Sequence, residues 1–440
     1  MFGRGREMCV RHRGLIALAV VLALAVFTER PANAQTFKVL HTFHKGKGPQ
    51  SPSGALTIDT QGNLYGVAQG GTGVCAFNAP CGTVFKMTKT GKLVWVYSFP
   101  SPGRDGYDPT AGLLRDAKGN LFGVTLDGGV DTKACDDNID RICGVVFKLD
   151  PTGKKETVLH RFTNNPDGED PESLLIEDSA GNLYGTTLWG GSDFGTVFKM
   201  SQTGHEEILY TFPWPDFTDG AFAYSGVIRD AMGNLYGTAD GGSGSGGCCG
   251  VVYKVDSSGQ ETVLYNFSGG SDGSSPSWEA PLIRDVAGNL YGTTGYGGNN
   301  IDICDGNEGC GVVFKLSPNS NGTWTDTTLY EFCVQQNCDD GHRPLGGLVR
   351  DSAGNLYGVT VFGGGSHSCN GGDCGVVFKL DTSGKETVLH AFTGGADGAG
   401  PEGRLVMDTA GNLYGTALAG GDLNCQPSFG GCGVVFKITP

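Results

Sequence analysis

Beyond residue 34 the chain has no apolar run long enough to cross a bilayer, no stretch with a convincing helical period, and no histidine pair at the spacing zinc enzymes use. It is also poor in cations, with 31 Lys and Arg against 46 Asp and Glu and a formal net charge of −15. A surface this acidic repels nucleic acid and anionic lipid, so neither is expected as a partner. Without helical periodicity, the remaining fold class is all-β.

The one apolar run stands at the N-terminus. Arg4, Arg6, Arg11 and Arg13 precede an uncharged stretch from Leu15 to Phe27, and Ala32-Asn33-Ala34 comes before Gln35. This order reads as a secretory signal peptide over 1–34, leaving 35–440 as a single domain. Its 13 apolar residues fall short of the roughly 20 that a spanning helix needs. Cleavage removes five Arg and two Glu and takes the charge to −18. The expected product is soluble, secreted or periplasmic, with no tail anchor and no membrane insertion.

An internal repeat of 50 to 65 residues fills everything after Gln35. Its core, Asp-x-x-Gly-Asn-Leu-Tyr-Gly, begins at Asp59, Asp116 (with Phe122 for Tyr), Asp178, Asp230, Asp285, Asp351 and Asp408. A Gly-Gly loop follows each copy, then Gly-Val-Val-Phe-Lys-Leu or a variant from Gly82, Gly144, Gly195, Gly250, Gly311, Gly375 and Gly433. A third element ends at Phe43, Phe99, Phe162, Phe212, Phe267, Phe332 and Phe392. Each unit reads as four short strands, such as 112–116, 120–126, 144–149 and 156–162. Strands apolar on both faces suit a sheet packed between two others, as in a seven-bladed β-propeller of four-stranded blades. The chain starts on a fourth-strand element and ends on a third. Pairing of 37–43 with 433–438 would therefore complete one blade and close the ring.

At these residues the sequence resembles the family of tandem GloVer repeats of exported bacterial proteins, along essentially all of 35–440. Resemblance to that family implies export but no particular activity, and the C-terminal sorting signals of its members are not visible here. Leu-x-x-Asp-x-x-Gly-Asn-Leu-Tyr is more distantly similar to NHL-type propellers and to sensor ectodomains of two-component systems, a likeness that implies ligand or partner binding.

Residues repeated around a ring usually serve the blade. The seven turn aspartates are expected to hold their own turns, since metal needs several oxygens in one place. His41, His160 and His390 share a slot with Tyr97, Tyr210, Tyr265 and Tyr330, which calls for an amphipathic ring rather than imidazole chemistry. No metal or cofactor is expected. The third-strand lysines, Lys86 to Lys437, should snorkel at the rim near the acids that open several fourth strands. Arg115, Arg229, Arg284 and Arg350 precede turn aspartates and should form salt bridges with neighbouring turns.

Fourteen cysteines follow the leader. Cys75 and Cys81, Cys135 and Cys143, Cys304 and Cys310, Cys369 and Cys374, and Cys425 and Cys432 bracket second-to-third-strand loops, and Cys333 and Cys338 close another loop. All are expected to pair in an oxidising compartment, with Cys248 and Cys249 forming at most a vicinal bridge.

Loops joining second to third strands, and each blade to the next, share one face of a propeller. That face carries every long, stapled loop and is the expected binding surface. Its candidate residues stand before each Gly-Gly: Gln69, Asp127, Trp189, Asp240, Tyr296 and Phe362, with Ala419 last. Aromatics beside acids could stack on sugar faces and hold hydroxyls. The Asp-Gly pairs at Asp105, Asp167, Asp219, Asp272, Asp340 and Asp397 are most simply turns. The leading expectation is a non-catalytic binding or scaffold propeller for polysaccharide or a cell-surface protein. The alternative is a hydrolase or lyase using Asp127 and Asp240 as a carboxylate pair.

Overall fold

A carboxylate opening a tight turn can satisfy the turn's own amides, and this chemistry lays down the scaffold. The computed structural model describes residues 35–440 apart from 47, 72–74, 76–79, 101–104, 130–142, 192–193, 214–218, 243–248, 277–280, 300–303, 305–307, 367, 370–373 and 426–429. In it, Asp178 Oδ1 accepts the N–H groups of Ala180 and Asn182, while Oδ2 accepts Asn182 Nδ2 at 3.0 Å and the Tyr184 hydroxyl at 2.9 Å. Burial opposes this carboxylate's charge, but the bonds outweigh it and hold the group down at about 2. The hydroxyl of the repeat tyrosine reaches the turn aspartate likewise at Asp59, Asp230, Asp285, Asp351 and Asp408. The aspartates are structural, as their repetition implied.

Seven antiparallel sheets follow, counted here as blades one to seven by their turn aspartates. Blade two comprises Leu114–Arg115, Leu121–Thr125, Val145–Leu149 and Glu156–Arg161, paired in chain order outward from the axis. Blade seven joins Val406–Met407, Leu413–Ala417 and Val434–Thr439 to Thr36–Thr42, with Thr36 opposite Thr439 and Thr42 opposite Val434. The two ends of the repeat region thus share one sheet, and the ring is a closed seven-bladed β-propeller. Most innermost strands are shorter than the five residues expected, because backbones converge at the axis. A Cβ on Gly403, for example, would collide with the carbonyl oxygen of Gly54.

The core lies between blades. Each fourth strand ends at a buried Phe whose ring meets the third-strand aromatic of the next blade edge-on, as in Phe99–Phe147, Phe162–Phe198 and Phe212–Tyr253. Phe43, from the N-terminal segment, meets Phe85 of blade one and completes the circle. Such pairs contribute about 0.5–1.5 kcal/mol each beyond the area they bury.

The cations behave differently from expectation. Arg115, Arg229, Arg284 and Arg350 lie over Tyr65, Tyr184, Tyr236 and Tyr291 of the preceding blades, 5.6–5.8 Å from the ring centroids. A planar guanidinium gains more from an adjacent π-face than from an already satisfied turn carboxylate. Most third-strand lysines cover the repeat aromatic of their own blade, as Lys86 covers Tyr65, while Lys199 pairs with Glu207 at 2.9 Å.

Candidate binding face

Each loop that passes from one blade to the next ends in a left-handed residue. Ser51, Asp108, Asp170, Phe222, Ser275, Arg343 and Gly400 have φ between 51 and 59°. Their N–H groups donate to the carbonyls of Cys432, Cys81, Cys143, Phe194, Cys249, Cys310 and Cys374 of the preceding blades, at 2.9–3.2 Å. Left-handed backbone costs a non-glycine residue about 1–2 kcal/mol, offset here by docking one blade on the next. Six of the seven receiving carbonyls belong to the cysteine before the third-strand glycine, and five of these, Cys81, Cys143, Cys310, Cys374 and Cys432, are disulfide-bonded, so staples sit at five docking points of the ring.

Bridges join Cys75 to Cys81, Cys304 to Cys310, Cys333 to Cys338, Cys369 to Cys374 and Cys425 to Cys432. Cys143 is disulfide-bonded, and its expected partner Cys135 lies outside the described residues, as does Cys248. Residues 1–34, where a signal peptide is expected, lie outside them too.

Threonines at the ends of second strands hold several candidate residues in place. Thr125, Thr187, Thr294 and Thr360 donate to the carbonyls of Asp127, Trp189, Tyr296 and Phe362, at 2.8–3.0 Å. Gln69 and Asp240 break this pattern, because one residue rather than two separates the five-residue second strand from their Gly-Gly. The Asp240 N–H donates to Phe222 O, as Leu126 donates to Asp108, and its carbonyl accepts from Ala221, as Asp127 accepts from Tyr107. One residue performs two backbone tasks, so Asp240 and Gln69 are not equivalents of Asp127, and a single ring of seven slots does not exist.

Asp240 is correspondingly withdrawn from water. Burial raises its carboxyl to about 6 against a hydrogen bond from Ser275 that lowers it, and Oδ1 has no hydrogen-bond partner among the described residues. Its charge and that of Glu172 act on Tyr224, whose hydroxyl is pushed up to about 12, chiefly by burial. Tyr296 and Phe362 are not open stacking platforms. The Arg343 guanidinium sits 4.6 Å from the Tyr296 ring centroid and 5.7 Å from that of Phe362, and Nη2 donates to the Tyr296 hydroxyl at 2.6 Å. Trp189 differs in being 37% exposed, the one exposed aromatic among the described residues. Its indole is braced edge-on by Phe222 of blade four at 4.5 Å. The candidate sector therefore spans blades three and four: the exposed Trp189 indole, the Asp240 carboxyl with an unpartnered oxygen and the Tyr224 phenol.

The Asp-Gly pairs are turns, as expected. Asp167 Oδ1 accepts Thr163 N–H and Oγ1–H, and Asp272 and Asp397 are bonded alike by Ser268 and Thr393. They also anchor the ring slot of the outer strand, since Tyr210, Tyr265 and Tyr330 donate to Asp219, Asp272 and Asp340. Two side-chain groups have metal-ligand composition among the described residues. Cys304, Cys333 and Cys338 are committed to disulfides, which leaves His160, Asp167 and Glu206.

Fold and face together define an all-β propeller of seven blades with one stapled, loop-bearing surface. Residues 135–323 and 304–440 match the Gloeobacter/Verrucomicrobia repeat family, and the chain belongs to that family. A search of curated proteins gives no match. Among solved structures, a luciferin-regenerating enzyme is similar at 15% identity and a TM-score of 0.41, over 74% of this chain and 90% of that one. A candidate gluconolactonase is similar at 11% identity and a TM-score of 0.40, over 92% of each chain. No helix among the described residues is long and apolar enough to cross a membrane.

Proposed function

We propose that this protein is an exported, non-catalytic propeller that binds polysaccharide on its stapled face, through the sector of blades three and four. The observation that carries the reading is Trp189, exposed at 37%, its backbone held by Thr187 and its ring braced by Phe222. An indole held this rigidly offers an apolar plane to a sugar ring at little entropic cost. Asp240, Tyr224 and Glu172 supply hydroxyl partners nearby in the fold, and the basic, apolar leader supports export. Affinity electrophoresis against a polysaccharide panel tests the proposal. Retention by one glycan, lost in Trp189→Ala and without release of reducing sugar, supports it. Retention unchanged by Trp189→Ala contradicts it, and retention by a cell-surface protein alone would move the reading to a protein partner.

One observation favours hydrolase or lyase chemistry as a second reading. Asp240, held up near pH 6 by burial, is suited to proton transfer close to neutral pH. Asp127 as its partner loses support, because the two residues occupy different slots. Product release abolished by Asp240→Asn would establish this reading over the first.

A further inference from the structure

At the rim, every blade junction sets a ring from one outer strand against the residue that opens the next. Register defines both slots: His160 lies opposite Val146 in blade two, and Glu206 opposite Met200 in blade three. Tyr97 donates to Glu156, and by the same register Tyr210, Tyr265 and Tyr330 face Glu261, Asp326 and Glu386. His390 instead stacks on Phe37 at 3.5 Å, and the slot facing His41 is Leu93. Acids therefore face phenols, and hydrocarbon faces imidazole. His160 is the exception, the one ring-slot imidazole that faces an acid.

There His160 Nε2 lies 3.0 Å from Asp167 Oδ2 and 3.3 Å from Glu206 Oε2. The three side chains are 17%, 12% and 10% exposed. One ring nitrogen carries at most one proton and cannot fully satisfy two carboxylates. Glu206 Oε1 is buried with no hydrogen-bond partner among the described residues. Asp167 Oδ1 is held by Thr163, which keeps Oδ2 turned to the imidazole, the arrangement by which outer groups orient a metal ligand. The separations of 3.0 and 3.3 Å from Nε2 to the two carboxylate oxygens are close to the roughly 3.3–3.6 Å that separates ligands bonded at about 2.0–2.2 Å around one tetrahedral ion.

We propose that His160, Asp167 and Glu206 bind one divalent transition-metal ion of the zinc class, clipping blade two to blade three at the rim. One imidazole and two carboxylates suit zinc, whereas calcium and magnesium demand six or more oxygens. The site shares no residue with the sector assigned to polysaccharide and does not depend on that assignment.

The test is isothermal titration of the chelator-stripped full chain with zinc chloride, alongside His160→Tyr and Glu206→Gln. Tyrosine fills this slot opposite an acid at four other junctions, so His160→Tyr should keep the fold, checked by its thermal transition without metal. The expected result is one zinc per chain, a raised transition temperature, and affinity weakened at least about 100-fold in both variants. Absence of zinc binding, or binding unchanged in His160→Tyr and Glu206→Gln, would overturn the proposal. Displacement of zinc by calcium in large excess would also overturn it.

Discussion

The ring of Phe85 lies across the backbone of Gly66, its Cζ only 2.5 Å from where a Cβ on that glycine would stand. The two residues are register partners, and the pair recurs in each blade, as at Gly123 with Phe147 and Gly415 with Phe436. The glycine of Leu-Tyr-Gly is thus the floor on which the third-strand aromatic rests. Gly66→Ala should displace Phe85 and destabilise the protein by about 1–3 kcal/mol or more in urea unfolding. Unchanged stability would show that the ring can relax without cost.

Blade four replaces the third-strand Phe with Tyr253, fully buried with a hydroxyl that has no hydrogen-bond partner among the described residues. Tyr253→Phe removes an orphaned polar group while keeping the ring. It should stabilise by about 1 kcal/mol in the same assay, and a loss of stability would reveal a partner for that hydroxyl.

Blade two has the opposite defect. Phe122 stands where six blades have the tyrosine that donates to the turn aspartate, leaving Asp116 Oδ2 bonded to Asn120. Phe122→Tyr should restore the clamp and gain roughly 0.5–1.5 kcal/mol. A destabilised variant would mean that blade two has no room for the hydroxyl.

These residues mark what the sequence alone reveals. Seven copies of one turn and the phase of the repeat made blades and closure legible, because turn chemistry and strand pairing are local or periodic. The left-handed docking residues were hidden, since Ser, Asp, Phe and Arg do not advertise positive φ and a residue before proline usually reads as extended. The recurring Asp-Gly-x-x-Pro, as at 105–109, 167–171 and 340–344, was their signal. Asp240 and Gln69 were misplaced because a one-residue shortening looks trivial in sequence yet changes which backbone task each residue performs. Glu206 escaped notice because metal-ligand spacing is sought along a chain, whereas His160, Asp167 and Glu206 converge from two blades and their connecting loop.

Stability should depend on pH in a distinctive way. Burial raises Glu156, Glu206 and Glu386 to about 7 and Glu261 to about 8, so the native state favours their protonated forms. Their contribution is complete below the usual carboxyl value of about 4.5 and is lost as pH rises toward 7–8. The turn aspartates act in the other direction. Asp178, held at about 2, contributes above roughly pH 4 and is lost as pH falls toward 2. Calorimetry in chelator should give the highest transition temperature near pH 4–5 and a decline toward pH 8. A flat or rising profile across pH 5–8 would contradict the buried rim acids.

The central claim is that ligands meet the stapled face, and substitutions on opposite faces test it most directly. Trp189→Ala alters the stapled face, whereas Met232→Ala and Val286→Ala alter exposed residues in the Asp-x-x-Gly turns of the other face. All three variants should fold like the parent, and glycan retention in affinity electrophoresis should be lost only in Trp189→Ala. Loss in Met232→Ala or Val286→Ala, with Trp189→Ala still retained, would place the binding surface on the wrong side of the propeller.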